Sequence, residues 1–249
     1  MAASPAPTGA NRLGETQRRD AWWIELLPVI FIFGGFGLYA TLRAFEGKFY
    51  EWGPYLSPFY SPLIDRNHHW WSFSPALLIL GGPLGFRTTC YYYRKAYYRA
   101  FFLDPPGCAV SENSNRKYKG ETAFPFILQN IHRYFLYLAI LFLIFLWYDA
   151  VRAYIFDSHF GIGLGSLLMT ANVSLLSLYT FSCHSLRHLV GGVMNQLSRS
   201  PARKKVYDCA SCLNRHHPKW AWFSLVFVGF TDVYVRLCSM GVITDLRIL

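Results

Sequence analysis

Charge is scarce in this chain. Only 15% of its 249 residues are Asp, Glu, Lys or Arg, whereas a soluble domain carries about 25%. That shortage argues against an ordinary water-soluble globule and points to lipid. Acids are the scarcer sign, with 14 Asp and Glu against 24 Lys and Arg and a net charge of +10. An excess of cations can mark a nucleic-acid binder, but these are not gathered in a soluble binding motif. Membrane proteins reach such values through their cytoplasmic loops. Several catalytic signatures are also missing: no P-loop, G-x-S-x-G or H-E-x-x-H occurs. No internal repeat is visible. The first twenty residues, MAASPAPTGANRLGETQRRD, lack the apolar stretch of a cleaved signal and read as a flexible cytoplasmic tail.

What the chain has instead is long apolar runs. Crossing the hydrocarbon takes about 20 mostly apolar residues. No Asp, Glu, Lys or Arg occurs between Glu25 and Arg43, between Arg66 and Arg87, between Arg133 and Asp149, or from Ser158 through Leu186. A fifth run, WAWFSLVFVGFTDVYVRLC, is interrupted by Asp232 and Arg236, which stand at i and i+4 and can pair on one helix face. The expected fold is an all-α membrane protein, with residues 21–249 forming a bundle of five transmembrane helices. Gly161, Gly163 and Gly165 in FGIGLGS are expected to allow close packing at the start of the fourth span rather than to cradle a phosphate.

Loop charge sets the orientation. The 87–125 segment carries seven Lys/Arg against Asp104, Glu112 and Glu121, and the 187–219 segment carries seven against Asp208 alone. The 44–66 and 149–157 connections hold only Lys48, Arg66 and Arg152 as cations. The positive-inside rule then predicts a cytoplasmic N-terminus, two cytoplasmic basic loops and an outward C-terminus.

With that topology the thiols and imidazoles segregate. Cys90, Cys108, Cys183, Cys209 and Cys212 fall on the cytoplasmic side with His132, His184, His188, His216 and His217. Cys238, His68, His69 and His159 fall opposite. Thiols on a reducing face are poor disulfide partners, and thiolate with imidazole is the ligand set of zinc and iron–sulfur centres. Each group also has a plain structural reading. Cys90 suits a small buried hydrophobe, and His132 suits a neutral imidazole bonded to a neighbouring helix. His184 and His188 share a helix face. They suit two ligands of one metal, one ligand plus a quinone hydrogen-bond donor, or headgroup contacts. The CASC stretch, Cys209 to Cys212, with His216 and His217 behind it, has the form of half a metal site or of a thiol pair with no ligand role.

Three stretches carry a resemblance to a known family. FSPALLIL…GFRTTCYYYRKAYYRAFFLDPPGCAV, GETAFPFILQNIHRYF and SCHSLRHLVGG resemble the single-chain membrane anchor of succinate dehydrogenase (complex II) of the actinobacterial first type, and the likeness runs from about Trp70 onward. The resemblance implies a multi-pass subunit of the bacterial inner (plasma) membrane that docks a flavoprotein subunit and an iron–sulfur subunit. It implies electron transfer to quinone, menaquinone or ubiquinone, through a Rieske-like [2Fe–2S] cluster inside the membrane part. Two Cys on one iron and two His on the other define that cluster class. The residues considered for ligation are His184 and His188, with His132 in reserve, and Cys90 with Cys183, then Cys108. Cys209 and Cys212, expected in a loop further from the membrane, are the competing thiolates.

A quinone ring reduced near the cytoplasmic boundary needs hydrogen-bond donors in an apolar pocket, for which His132, Arg133, Arg187 and Trp220 are the candidates. The aromatic and basic CYYYRKAYYRAFF stretch reads as an interfacial helix or a docking surface for the iron–sulfur subunit. Two other functions stay open: a haem b-binding anchor with His132 and His184 or His188 as axial ligands, and a zinc-stabilised membrane scaffold without a redox role. A transporter fits less well, because interrupted helix pairs are not apparent. No nucleic-acid partner is expected.

Overall fold

Apolar runs of this length become helices because a backbone in hydrocarbon must satisfy its own N–H and C=O groups. The computed structural model describes residues 21–64, 74–101, 131–192, 196 and 199–249. The expected tail over 1–20, the start of the second apolar run at 65–73, and Cys108 lie outside these residues. Eight α-helices occur among the described residues: α1 (Leu27–Glu46), α2 (Ala76–Thr89), α3 (Tyr91–Phe101), α4 (His132–Arg152), α5 (Leu164–Phe181), α6 (His184–Gly191), α7 (Pro201–Asn214) and α8 (His217–Ser239). Among the described residues four helical segments are long and apolar enough to cross a membrane: Trp23–Glu46, His132–Arg152, Leu164–Phe181 and His217–Ser239. The second expected span coincides with α2, whose 14 residues cover about 21 Å at about 1.5 Å each. That falls short of the roughly 30 Å hydrocarbon core.

The long helices form a bundle in which α4 lies between α2 and α5, α5 packs on α8, and α1 leans on α8 and α2. Phe31, Leu38, Ile144 and Phe223 point outward and are more than half exposed, as side chains facing lipid are. Close approach of α2 to α4 depends on two glycines. A Cβ at Gly82 would run into the Phe142 ring, and one at Gly85 into the Phe135 ring.

Two short antiparallel hairpins, not foreseen from the sequence, cover one end of the bundle: β1 (Glu51–Trp52) with β2 (Tyr55–Leu56), and β3 (Ile155–Phe156) with β4 (His159–Phe160). Polar side chains tie this end together. Asp232, fully buried in α8, accepts hydrogen bonds from Tyr39 of α1 and from Ser57 beside the first hairpin. Its expected partner Arg236 lies 3.7 Å away and also donates to Glu46 at 2.8 Å. Near the C-terminus, Asp245 accepts from Tyr55 (2.7 Å), Tyr234 (2.6 Å) and the backbone N–H of Gly165 (2.9 Å). A carboxylate there suits the positive N-terminal end of α5. Gly165 lies against the Tyr55 ring, with no room for a Cβ. The glycines of FGIGLGS were expected to allow close packing of helices; Gly163 and Gly165 instead make room for Tyr55 of the first hairpin.

Candidate metal centre

At the opposite end of the bundle two helices, α2 and α5, end next to a cysteine. Helix α2 stops at Thr89, and Cys90 adopts extended backbone (φ −66°, ψ 128°) before α3 begins. Helix α5 stops at Phe181, and Cys183 is likewise extended (φ −65°, ψ 139°) as the N-cap of α6. Both thiols turn into one buried cluster with Phe86, Tyr93 and Tyr179. Two histidines begin the helices that face them, His132 as the first residue of α4 and His217 as the first of α8. Pro218 at the second position costs no hydrogen bond there, because the first N–H groups of a helix have no partner within it.

The four side chains meet in pairs. His132 Nε2 lies 3.1 Å from Cys183 Sγ, and His217 Nε2 lies 3.4 Å from Cys90 Sγ. On the far edge of each ring, His132 Nδ1 is 2.7 Å from Thr89 Oγ1 and His217 Nδ1 is 2.6 Å from Ser182 Oγ. Aromatic faces hold both rings in place: Phe86 stacks on His132 at 4.8 Å and Tyr179 on His217 at 5.2 Å. All four donors are at most 9% exposed. Burial, reinforced by the neighbouring Cys90, pushes the Cys183 thiol up to about 11.

Two features partly offset the cost that burial places on negative charge here. The N-termini of α4 and α8 bring positive helix ends to the thiols. Arg87 lies over the Tyr179 ring at 4.8 Å, bonds Tyr93, and reaches Ser224 Oγ at 3.1 Å. Tyr179 is among the largest fully buried side chains, and its hydroxyl has no hydrogen-bond partner among the described residues.

Among the described residues no three His, Cys, Asp or Glu gather around one point as a single metal ion would require. A two-iron centre asks for less, namely two protein donors per iron, with inorganic sulfide completing each coordination shell. Two buried thiols and two imidazoles whose Nε2 atoms face them match that donor set. An unpartnered tyrosine hydroxyl beside them could donate to sulfur.

Of the residues singled out from sequence, the fold brings together Cys90, Cys183 and His132. It places His184 and His188 on an exposed face of α6, their rings 5.3 Å apart. The helix break at Ser182–Cys183 is the reason: Cys183 turns into the core, while α6 runs on along the surface. Cys209 and Cys212 lie exposed on helix α7, not in a loop. Of the four quinone candidates, His132 belongs to the thiol pair and Arg133 is exposed. Arg187 binds the Tyr207 hydroxyl through Nε and Nη2 at 3.1 and 2.9 Å. Trp220 packs against the thiol cluster with a buried, unpartnered indole N–H. Sequence reasoning set His217 with the CASC thiols, whereas the fold sets it against Cys90, and it passed over Arg87, Tyr179, Thr89 and Ser182.

The family model for the actinobacterial succinate dehydrogenase subunit SdhC matches residues 24–241. A chain of the solved Mycobacterium smegmatis Sdh1 complex in the apo form is 42% identical, with 98% of each chain covered and a TM-score of 0.87. No curated protein matches the chain.

Proposed function

The chain belongs to the actinobacterial SdhC family of succinate dehydrogenase membrane subunits, and from that premise we propose that it relays electrons to quinone through a Rieske-like [2Fe–2S] cluster. Cys90 and Cys183 would hold one iron, and His132 and His217 the other. The observation that carries this reading is the convergence of two thiols and two imidazoles, from four helix ends, in one buried cluster. When bound, such a cluster supplies one-electron transfer between the iron–sulfur subunit and quinone. The protein's own contribution is to keep water out with Phe86, Tyr93 and Tyr179, and to balance anionic sulfur with Arg87 and two helix N-termini. A haem b held by two axial histidines would leave both buried thiols without a role.

The orientation we propose puts the N-terminus, the thiol end and helices α3, α6 and α7 at the cytoplasmic face of the bacterial inner membrane, with α2 belonging to a fifth span. The flavoprotein and iron–sulfur subunits dock on that face. Quinone binds beside it, with the free indole N–H of Trp220 as a hydrogen-bond donor.

Affinity purification of the tagged chain from its native membrane tests the role. The two catalytic subunits should come with it, and succinate should reduce quinone without haem bands in the optical spectrum. A preparation lacking both subunits, or one with haem b, would overturn the proposal.

A further inference from the structure

We infer that Thr89 and Ser182 are positioning residues that fix both histidines in the Nδ1–H tautomer, so that each presents the Nε2 lone pair to the centre. The inference rests on the reading of His132 and His217 as cluster ligands.

Hydrogen counting carries it. Thr89 Oγ1 lies 2.7 Å from Gly85 O and 2.7 Å from His132 Nδ1. A hydroxyl has one hydrogen to give, and a carbonyl can only accept. If Thr89 donated to the imidazole, two oxygens would face each other at 2.7 Å with no hydrogen between them, a repulsive contact in a buried site. The arrangement that satisfies both contacts sends the hydroxyl hydrogen to Gly85 O and takes the hydrogen from His132 Nδ1. Ser182 repeats the solution on another helix: its Oγ lies 2.9 Å from Tyr179 O and 2.6 Å from His217 Nδ1. In each case the hydroxyl sits at the last turn of a helix, anchored to a carbonyl three or four residues back. Two histidines from different helices thus meet the same device. With Nδ1 carrying the hydrogen, the Nε2 atoms, 3.1 and 3.4 Å from the two sulfurs, are the only nitrogens left to ligate.

A hydroxyl that holds a ligand's remote N–H orients the ring and raises the basicity of the ligating nitrogen, and losing such a partner costs about 10–100-fold in metal affinity. Thr89→Val and Ser182→Ala remove the acceptor, whereas Thr89→Ser and Ser182→Thr keep it.

The test uses the intact purified complex, reduced to the paramagnetic state of the cluster, with histidine labelled by 15N at Nδ1 only. Pulsed EPR of the nitrogen couplings should then show the label with the weak coupling of a remote nitrogen, and the strong couplings should remain 14N. Strong 15N coupling would mean ligation through Nδ1 and would overturn the inference. That measurement needs no variant to assemble. In the variants, Thr89→Val and Ser182→Ala should raise the midpoint potential or lower cluster content by about 10-fold or more, with the conservative pair near wild type. Unchanged content and potential in both disruptive variants would overturn it too. Absence of any [2Fe–2S] signal in the wild-type complex is a separate result, which removes the ligand assignment itself and this inference with it.

Discussion

Replacing Asp232 by alanine tests whether the end of the bundle away from the thiols is held by charge. Its carboxylate is fully buried and accepts from Tyr39 and Ser57, with Arg236 Nε at 3.7 Å. Hydrogen bonds to a charged group contribute about 1.5–3 kcal/mol each, so two of them come to about 3–6 kcal/mol. Removing one member of a buried ion pair costs about 3–5 kcal/mol. Arg236 keeps Glu46 and the Lys48 carbonyl as partners, which limits the loss. The expected cost of Asp232→Ala is therefore about 3–5 kcal/mol, and of Ser57→Ala about 1.5–3 kcal/mol. Asp232→Asn, which keeps an acceptor, should fall between wild type and Asp232→Ala. Unfolding of the purified complex in mixed micelles, followed by loss of helical signal, gives these differences. Asp232→Ala within about 0.5 kcal/mol of wild type, the range of ordinary surface changes, would show that the buried carboxylate is not what joins α1, the first hairpin and α8.

Three further outcomes follow from the packing. Gly85→Leu sets a side chain against the Phe135 ring; overpacking of this kind costs about 1–3 kcal/mol, and it should push α4 and His132 off α2, so cluster content measured by iron and EPR should fall. Cys90→Ser and Cys183→Ser should each abolish the Rieske-type EPR signal, whereas Cys209→Ser with Cys212→Ser, both on the exposed side of α7, should leave it intact. Trp220→Phe removes the unpartnered indole N–H and should raise KM for quinone in steady-state assays without changing cluster content.

Much of this architecture is legible in the amino-acid order, because the hydrocarbon demands long apolar runs. The runs at 26–42 and 134–148 and the one around Asp232 became helices, and most of the run at 158–186 became α5. Segregation of cysteine and histidine by bundle end was also readable, since loop charge tells one end from the other. The pairing of donors was not. Cys183 and His184 are neighbours in sequence, and read as one continuous helix they point about 100° apart. The chain instead breaks between them, so the thiol enters the core while His184 and His188 stay on the surface. Nor does spacing reveal that His217, 127 residues after Cys90, returns to it. That contact exists because α8 runs parallel to α1 and starts at the same end, which is tertiary information. The two hairpins and the hydroxyls of Thr89 and Ser182 were hidden for a related reason: their partners are distant in sequence or are backbone atoms.

The most direct test of the central claim is low-temperature EPR of the intact, reduced complex, comparing wild type with His132→Ala, His217→Ala and the double variant His184→Ala/His188→Ala. The account predicts a Rieske-type [2Fe–2S] signal in wild type, its loss in each of the first two variants, and its retention in the double variant. A signal that survives His217→Ala, or one that disappears with His184 and His188, would contradict it.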